Sequence, residues 1–211
     1  MIFNLKYLLL FTFWIINSDS GYLNKSAFQN DSNIIIDCNY TFDEAIAGIE
    51  IPKSIIKQLT LIEVEYYSFD EKLHHGQIIG NQKAAKDIKE IFEFIKSTKF
   101  PVAKVIPVVK YNWSDEASMN DNNTSCFNYR IVKGFKVLSS HSYGKAIDIN
   151  PVQNPHIKGK VITPVTGKYD IKQAGTLIKD SGIVKEFVKR GWQWGGRWRS
   201  SKDYKKKKKK N

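Results

Sequence analysis

The densest chemistry in this 211-residue chain lies in Ser139-Ser140-His141-Ser142-Tyr143-Gly144-Lys145-Ala146-Ile147-Asp148-Ile149-Asn150. Ala146, Asp148 and Asn150 alternate with Ile147 and Ile149. On a strand, the two isoleucines face the core and Asp148 faces the other way. Gly144 lets the chain turn closely before that strand. His141 lies just ahead of the turn, so its imidazole can converge with the Asp148 carboxylate. An imidazole nitrogen and a carboxylate oxygen are two ligands of a zinc site. They also make an ordinary structural hydrogen bond at a strand start, and the spacing does not choose between the two.

The elements that must position this pair are readable upstream and downstream. Ile51–Leu59 predicts a short helix with Pro52 in its first turn. Leu61–Tyr67 alternates and is rich in strand formers, and His75–Ile79 follows as a second strand. Asn81 can cap the next helix, where Ala84, Ala85, Ile88, Ile91, Phe92 and Ile95 recur at helical spacing. Pro101–Val109 is apolar and β-branched, hence a strand. Asn112–Asn128 reads as a long polar loop. Ser181–Arg190 predicts a helix that stops at Gly191. Short strands mixed with helices, without regular alternation, predict an α+β fold: one domain, a small mainly antiparallel sheet, flanking helices and a zinc cleft.

Composition narrows the class. Hydrophobic residues at 42% and charged residues at 26% exclude a wholly disordered chain. The formal net charge is +12, half of it from Lys205–Lys210. A moderately basic body suits a cell-wall polymer, a membrane surface or nucleic acid. The chain opens with Lys6, an apolar run from Tyr7 to Ile16, and the small residues Ser18-Asp19-Ser20. That order reads as a secretory signal cleaved after Ser20, with a buried N-terminal helix as the alternative. The expected organisation is a signal peptide over 1–20, a polar lead-in over 21–37, a domain over 38–204 and a lysine tail over 205–211. No stable membrane insertion is expected. Cys38 and Cys126 are the only cysteines. In an exported chain they can bridge or stay as thiols.

The pattern Ser139-x-His141-x-x-Gly144-x-Ala146-x-Asp148 resembles the signature of the zinc peptidases that include D-alanyl-D-alanine carboxypeptidases (VanY-like) and L-alanyl-D-glutamate endopeptidases. The segments Tyr111–Asp115 and Asn122–Arg130 resemble the substrate-loop region of an extracellular branch of that family. Gly191-Trp192-Gln193-Trp194-Gly195-Gly196-Arg197-Trp198 resembles its C-terminal aromatic segment. The resemblance runs from about Cys38 to Tyr204. It implies a zinc-dependent, exported peptidase acting on peptidoglycan stem peptides, periplasmic or extracellular, with His141 and Asp148 as the first two metal ligands. It implies Asp203 as general base and Arg130 as the residue that steadies the substrate carboxylate or the developing oxyanion. A surface ion pair is the other reading of Arg130. A monomer with no nucleic-acid partner is expected.

The pattern breaks at one point. The family's third ligand is a His three residues after the base, and Lys206 stands there. The strand that usually follows that His is expected to be absent. His74, His75 and His156 are the other histidines that could supply a ligand, although each also reads as a surface or packing residue. The lysine run itself has three readings: a basic tail for anionic polymers, a slipped reading frame in an adenine-rich tract, or the mark of a pseudoenzyme. The competing function is therefore a non-catalytic wall-binding protein. The sequence does not separate carboxypeptidase from endopeptidase action.

Overall fold

A computed structural model describes residues 34–209. The expected signal peptide and most of the lead-in lie outside the described residues. In chain order the elements are β1 (Ile35–Ile36), α1 (Phe42–Ala45), α2 (Lys53–Ile56), β2 (Leu59–Tyr67), β3 (Leu73–Asn81), α3 (Ala85–Ser97), β4 (Lys104–Val105), α4 (Asp115–Asn120), β5 (Asn123–Thr124) and β6 (Ala146–Asp148). There follow β7 (His156–Lys158), β8 (Val161–Thr163), α5 (Gly182–Lys189), β9 (Trp192–Trp194), β10 (Lys202–Asp203) and β11 (Lys206–Lys209). The α+β class holds, but the strands form four small sheets where the sequence predicts one. Their orders are β1-β3-β2, β10-β7-β8, β6-β11-β9 and β4-β5. Most pairings are antiparallel; β1 with β3 and β4 with β5 are parallel.

The main core forms where the apolar stripe of α3 meets the β2–β3 hairpin. Ile88, Ile91, Phe92 and Ile95 pack with Ile62, Val64, Tyr66 and Ile78. Ile147 and Ile149, Val184 and Phe187 of α5, and Trp192 and Trp194 of β9 join the same cluster. The two β9 tryptophans are therefore core residues, each 3% exposed or less. Asn81 does cap, but it caps a 3-10 turn over Gln82–Ala84 that leads into α3, accepting from the Lys83 amide at 3.1 Å. Ser181 caps α5, and Gly191 just beyond it has φ +77°.

Three local expectations are corrected. Pro101–Val109 keeps only the two-residue β4, because Pro101 and Pro107 lack the amide a longer ladder needs, and Val108–Tyr111 turns into a 3-10 helix. The Asn112–Asn128 loop contains α4, whose cap is Ser114 Oγ accepting from the Ala117 amide at 3.1 Å. Lys206–Lys209 is not a tail beyond the domain, and the strand thought missing is present. β11 is the central strand of its sheet, pairing with β6 on one side and β9 on the other. Cys38 and Cys126 are free thiols.

Candidate functional site

His141 sits in a 3-10 turn, Ser140–Tyr143, opened by Ser139, whose Oγ accepts from the His141 amide at 3.3 Å. Gly144 closes the turn with φ +60°. A Cβ there would lie 2.5 Å from the Asn81 backbone nitrogen and 2.8 Å from the Gly80 carbonyl carbon. Glycine thus supplies both the left-handed backbone and the close approach to β3. The Asn81 amide donates to the Gly144 carbonyl at 3.0 Å, and its side chain donates to the Tyr143 carbonyl at 3.0 Å. The turn that carries His141 is thereby fixed to the large hairpin.

Asp148 is held from both sides. It exchanges backbone hydrogen bonds with Ser125 at 2.9 and 3.1 Å, and it faces Lys206 directly across β6 and β11. His141 Nε2 and Asp148 Oδ1 lie 3.4 Å apart and are almost completely buried. His141 Nδ1 lies 2.7 Å from the Cys126 carbonyl oxygen, which can only accept. Nδ1 therefore carries a proton, and Nε2 is the ring nitrogen that faces the carboxylate. Neither Nε2 nor the Asp148 Oδ1 it faces has a hydrogen-bond partner. Among the described residues, five buried side-chain polar atoms lack a partner, and four belong to Asn128, Arg130, His141 and Asp148. Unmet hydrogen-bonding capacity is thus gathered at one place, where a proton or a cation between the two atoms would relieve it.

Arg130 and Asp203 flank this pair by different means. Arg130 Nη2 contacts Asp115 Oδ2 at 2.9 Å, while Asn128 donates to Asp115 Oδ1 at 3.2 Å. Ser142 Oγ accepts from the Arg130 amide at 2.9 Å and donates to its carbonyl at 2.8 Å, tying the arginine to the His141 turn. Asp203 is buried, with Lys205 Nζ at 2.8 Å and Lys206 Nζ at 3.4 Å. Asp115, Asn128, Ser142 and Lys205 were not singled out from the sequence. Asp115 and Asn128 lie in the segments that resemble the substrate-loop region and Ser142 lies in the motif itself, but no signal marked these side chains individually.

Charge balance at the site follows from Lys206. Burial alone would push the Asp148 carboxyl up, but the Lys206 ammonium, then His141 and Lys205, hold it well below the usual carboxylate range. Burial would push Lys206 down, yet Asp148 and Asp203 raise it, so its side chain is an ammonium ion. His156 faces Asp203 across β7 and β10; burial lowers its pKa, against the opposing pull of Asp203. His74 lies between Asp37 at 2.9 Å and Asp70 at 3.2 Å, and His75 pairs with Glu65 in the β2–β3 register.

His141 and Asp148 have the chemistry of a metal-binding pair: buried, adjacent, without hydrogen-bond partners at the facing atoms, and with the imidazole oriented by the Cys126 carbonyl. The third donor position does not fit. Among the described residues no three His, Cys, Asp or Glu side chains come together around one point, and an ammonium group stands opposite Asp148. The set as it stands is incomplete for a catalytic zinc, which normally has three protein ligands.

Residues 133–205 match the family model described as D-alanyl-D-alanine carboxypeptidase. The match contains His141, Asp148 and Asp203 and stops at Lys205, and it bears out the resemblance read from the motif. No curated protein and no solved structure matched the chain.

Proposed function

We propose that this chain, with its carboxypeptidase-family segment over 133–205, carries a zinc-peptidase site for D-amino-acid-containing wall peptides in which Lys206 fills the third ligand position. One observation carries this reading: the buried, mutually unpartnered pair of His141 Nε2 and Asp148 Oδ1 at 3.4 Å. Satisfied structural pairs do not leave two polar atoms facing each other without a hydrogen bond in the interior. Asp203 is the acid of the pattern, and Arg130, whose buried Nε is free, is the group for a substrate carboxylate. The Lys206 ammonium lowers the affinity of the pair for a dication and ties up Asp203, so turnover by the chain as written is weak.

The test is a zinc titration and a D-alanyl-D-alanine or L-alanyl-D-glutamate peptide-release assay on the chain and on Lys206→His. The variant is expected to bind zinc more tightly and to release product above the parent's rate. Tight zinc binding and turnover by the parent chain would show that another residue supplies the ligand.

The second reading, a non-catalytic wall-peptide binder, is favoured by Lys206 lying between two buried carboxylates, where it can stand in for the missing cation. A binder would keep peptide affinity and show no release even after Lys206→His. Export is proposed from the Lys6-apolar-Ser20 order alone. N-terminal sequencing of the mature chain is expected to begin near Gly21, and an intact Met1 would reject it.

A further inference from the structure

Two hairpins stand on the site, and their free ends share an unusual composition. The first runs from Arg130 to Ser139. It is closed by Ser139 N–H donating to the Arg130 carbonyl at 3.0 Å and Val132 N–H donating to the Val137 carbonyl at 2.9 Å. Its tip is Ile131-Val132-Lys133-Gly134-Phe135-Lys136-Val137. The second is β7–β8, whose free end is Lys158-Gly159-Lys160-Val161-Ile162 and whose root residue His156 pairs with Asp203.

Ile131, Phe135 and Val137 are 59–67% exposed, and Val161 and Ile162 are 65% and 38% exposed. A Cβ added at Gly134 or Gly159 would meet nothing within 4 Å, so both tips reach into open space. Lys133, Lys136, Lys158 and Lys160 are exposed as well. Neither hairpin contains an Asp or Glu, and these four lysines form no ion pair among the described residues. Solitary exposed apolar residues are ordinary, but two clusters of bulky apolar tips interleaved with unneutralised lysines are not.

We infer that the two hairpins are a peripheral docking surface for an anionic lipid bilayer. The lysines complement phosphate headgroups, and the apolar tips enter the boundary between headgroups and acyl chains. A soluble polyanion would use the lysines and leave Phe135, Val137 and Val161 without a role. The hairpin roots are Arg130, Ser139 and His156, so docking would turn the site toward the bilayer surface and toward peptides presented there. No membrane-spanning helix is needed, and none exists among the described residues.

The experiment is co-sedimentation with phosphatidylcholine vesicles prepared with and without phosphatidylglycerol. The chain is expected to bind the anionic vesicles in a salt-sensitive way and to leave the neutral ones. The double variant Phe135→Ser with Val161→Ser should bind anionic vesicles about tenfold more weakly. Replacing Lys133, Lys136, Lys158 and Lys160 by Gln should remove the preference for phosphatidylglycerol. All these side chains are exposed at tips, so melting curves should match the parent. The inference is overturned if the parent ignores anionic vesicles, binds both kinds equally, or binds them unchanged after the double apolar substitution. Retention on dextran sulfate without vesicle binding would assign the surface to a polymer and overturn it too. None of these outcomes depends on peptide turnover.

Discussion

Replacing Lys207 by Met should make the protein more stable, and the gain should vanish at high pH. Lys207 is fully buried in the middle of β11, paired with Ile147 on one side and Trp194 on the other. Its Nζ lies 5.5 Å from the centre of the Phe187 ring and donates to the Lys205 carbonyl at 2.9 Å. Burial pushes its pKa from the ordinary 10.5 down to about 7, with Asp148 and Asp203 opposing part of the fall. The folded state therefore holds the proton more weakly than the unfolded state. Below pH 7 the buried charge is carried in full; between pH 7 and 10.5 stability rises with pH; above 10.5 both states are neutral and the penalty is gone. The shift corresponds to about 4 kcal/mol at pH 7. Against this, Met loses the Nζ hydrogen bonds and the contact over Phe187, together about 1–2 kcal/mol. Neither carbonyl is left orphaned, because Ile149 N–H also donates to Lys205 and Trp194 Nε1 also donates to Tyr204. A net gain of about 2–3 kcal/mol at pH 7 is expected. Urea unfolding of both proteins from pH 6 to pH 10.5 measures it. A variant less stable at every pH, or a gain independent of pH, would refute the argument that position 207 is a buried charge site.

Asp148→Asn should remove zinc affinity and flatten the acid limb of the stability curve. The depressed Asp148 pKa means its contribution is present above the unfolded carboxylate value and is lost as pH falls through the folded one. Zinc titration and acid unfolding check this, and unchanged zinc affinity would reject the ligand role. Gly144→Ala should cost about 2–4 kcal/mol, from a left-handed backbone and a Cβ 2.5 Å from the Asn81 nitrogen. Thermal melting measures that cost, and a neutral result would mean that the turn and β3 separate easily.

The motif, the main hairpin, α3 and α5 were legible because they rest on local signals. Those signals are alternation in Leu61–Tyr67, helical spacing from Ala84 to Ile95, caps at Asn81 and Ser181, and the one glycine that a tight turn before Ala146 needs. The His141–Asp148 approach follows from the same local geometry, a turn feeding a strand. What the sequence did not contain was partnership between distant segments. Nothing in Asn112–Asn128 announces that Asp115 will hold Arg130, since an ion pair across a loop depends on where two backbones meet. The lysine run is the clearest case. Read alone, it is a solvated tail, because lysine prefers water. In the structure its backbone completes the sheet between β6 and β9, and strand alternation then turns position 206 toward Asp148 and position 207 into the core. The sequence fixes which side chains are available. Only the pairing of β11 with two strands remote in the chain decides that position 206 faces Asp148 and position 207 enters the core.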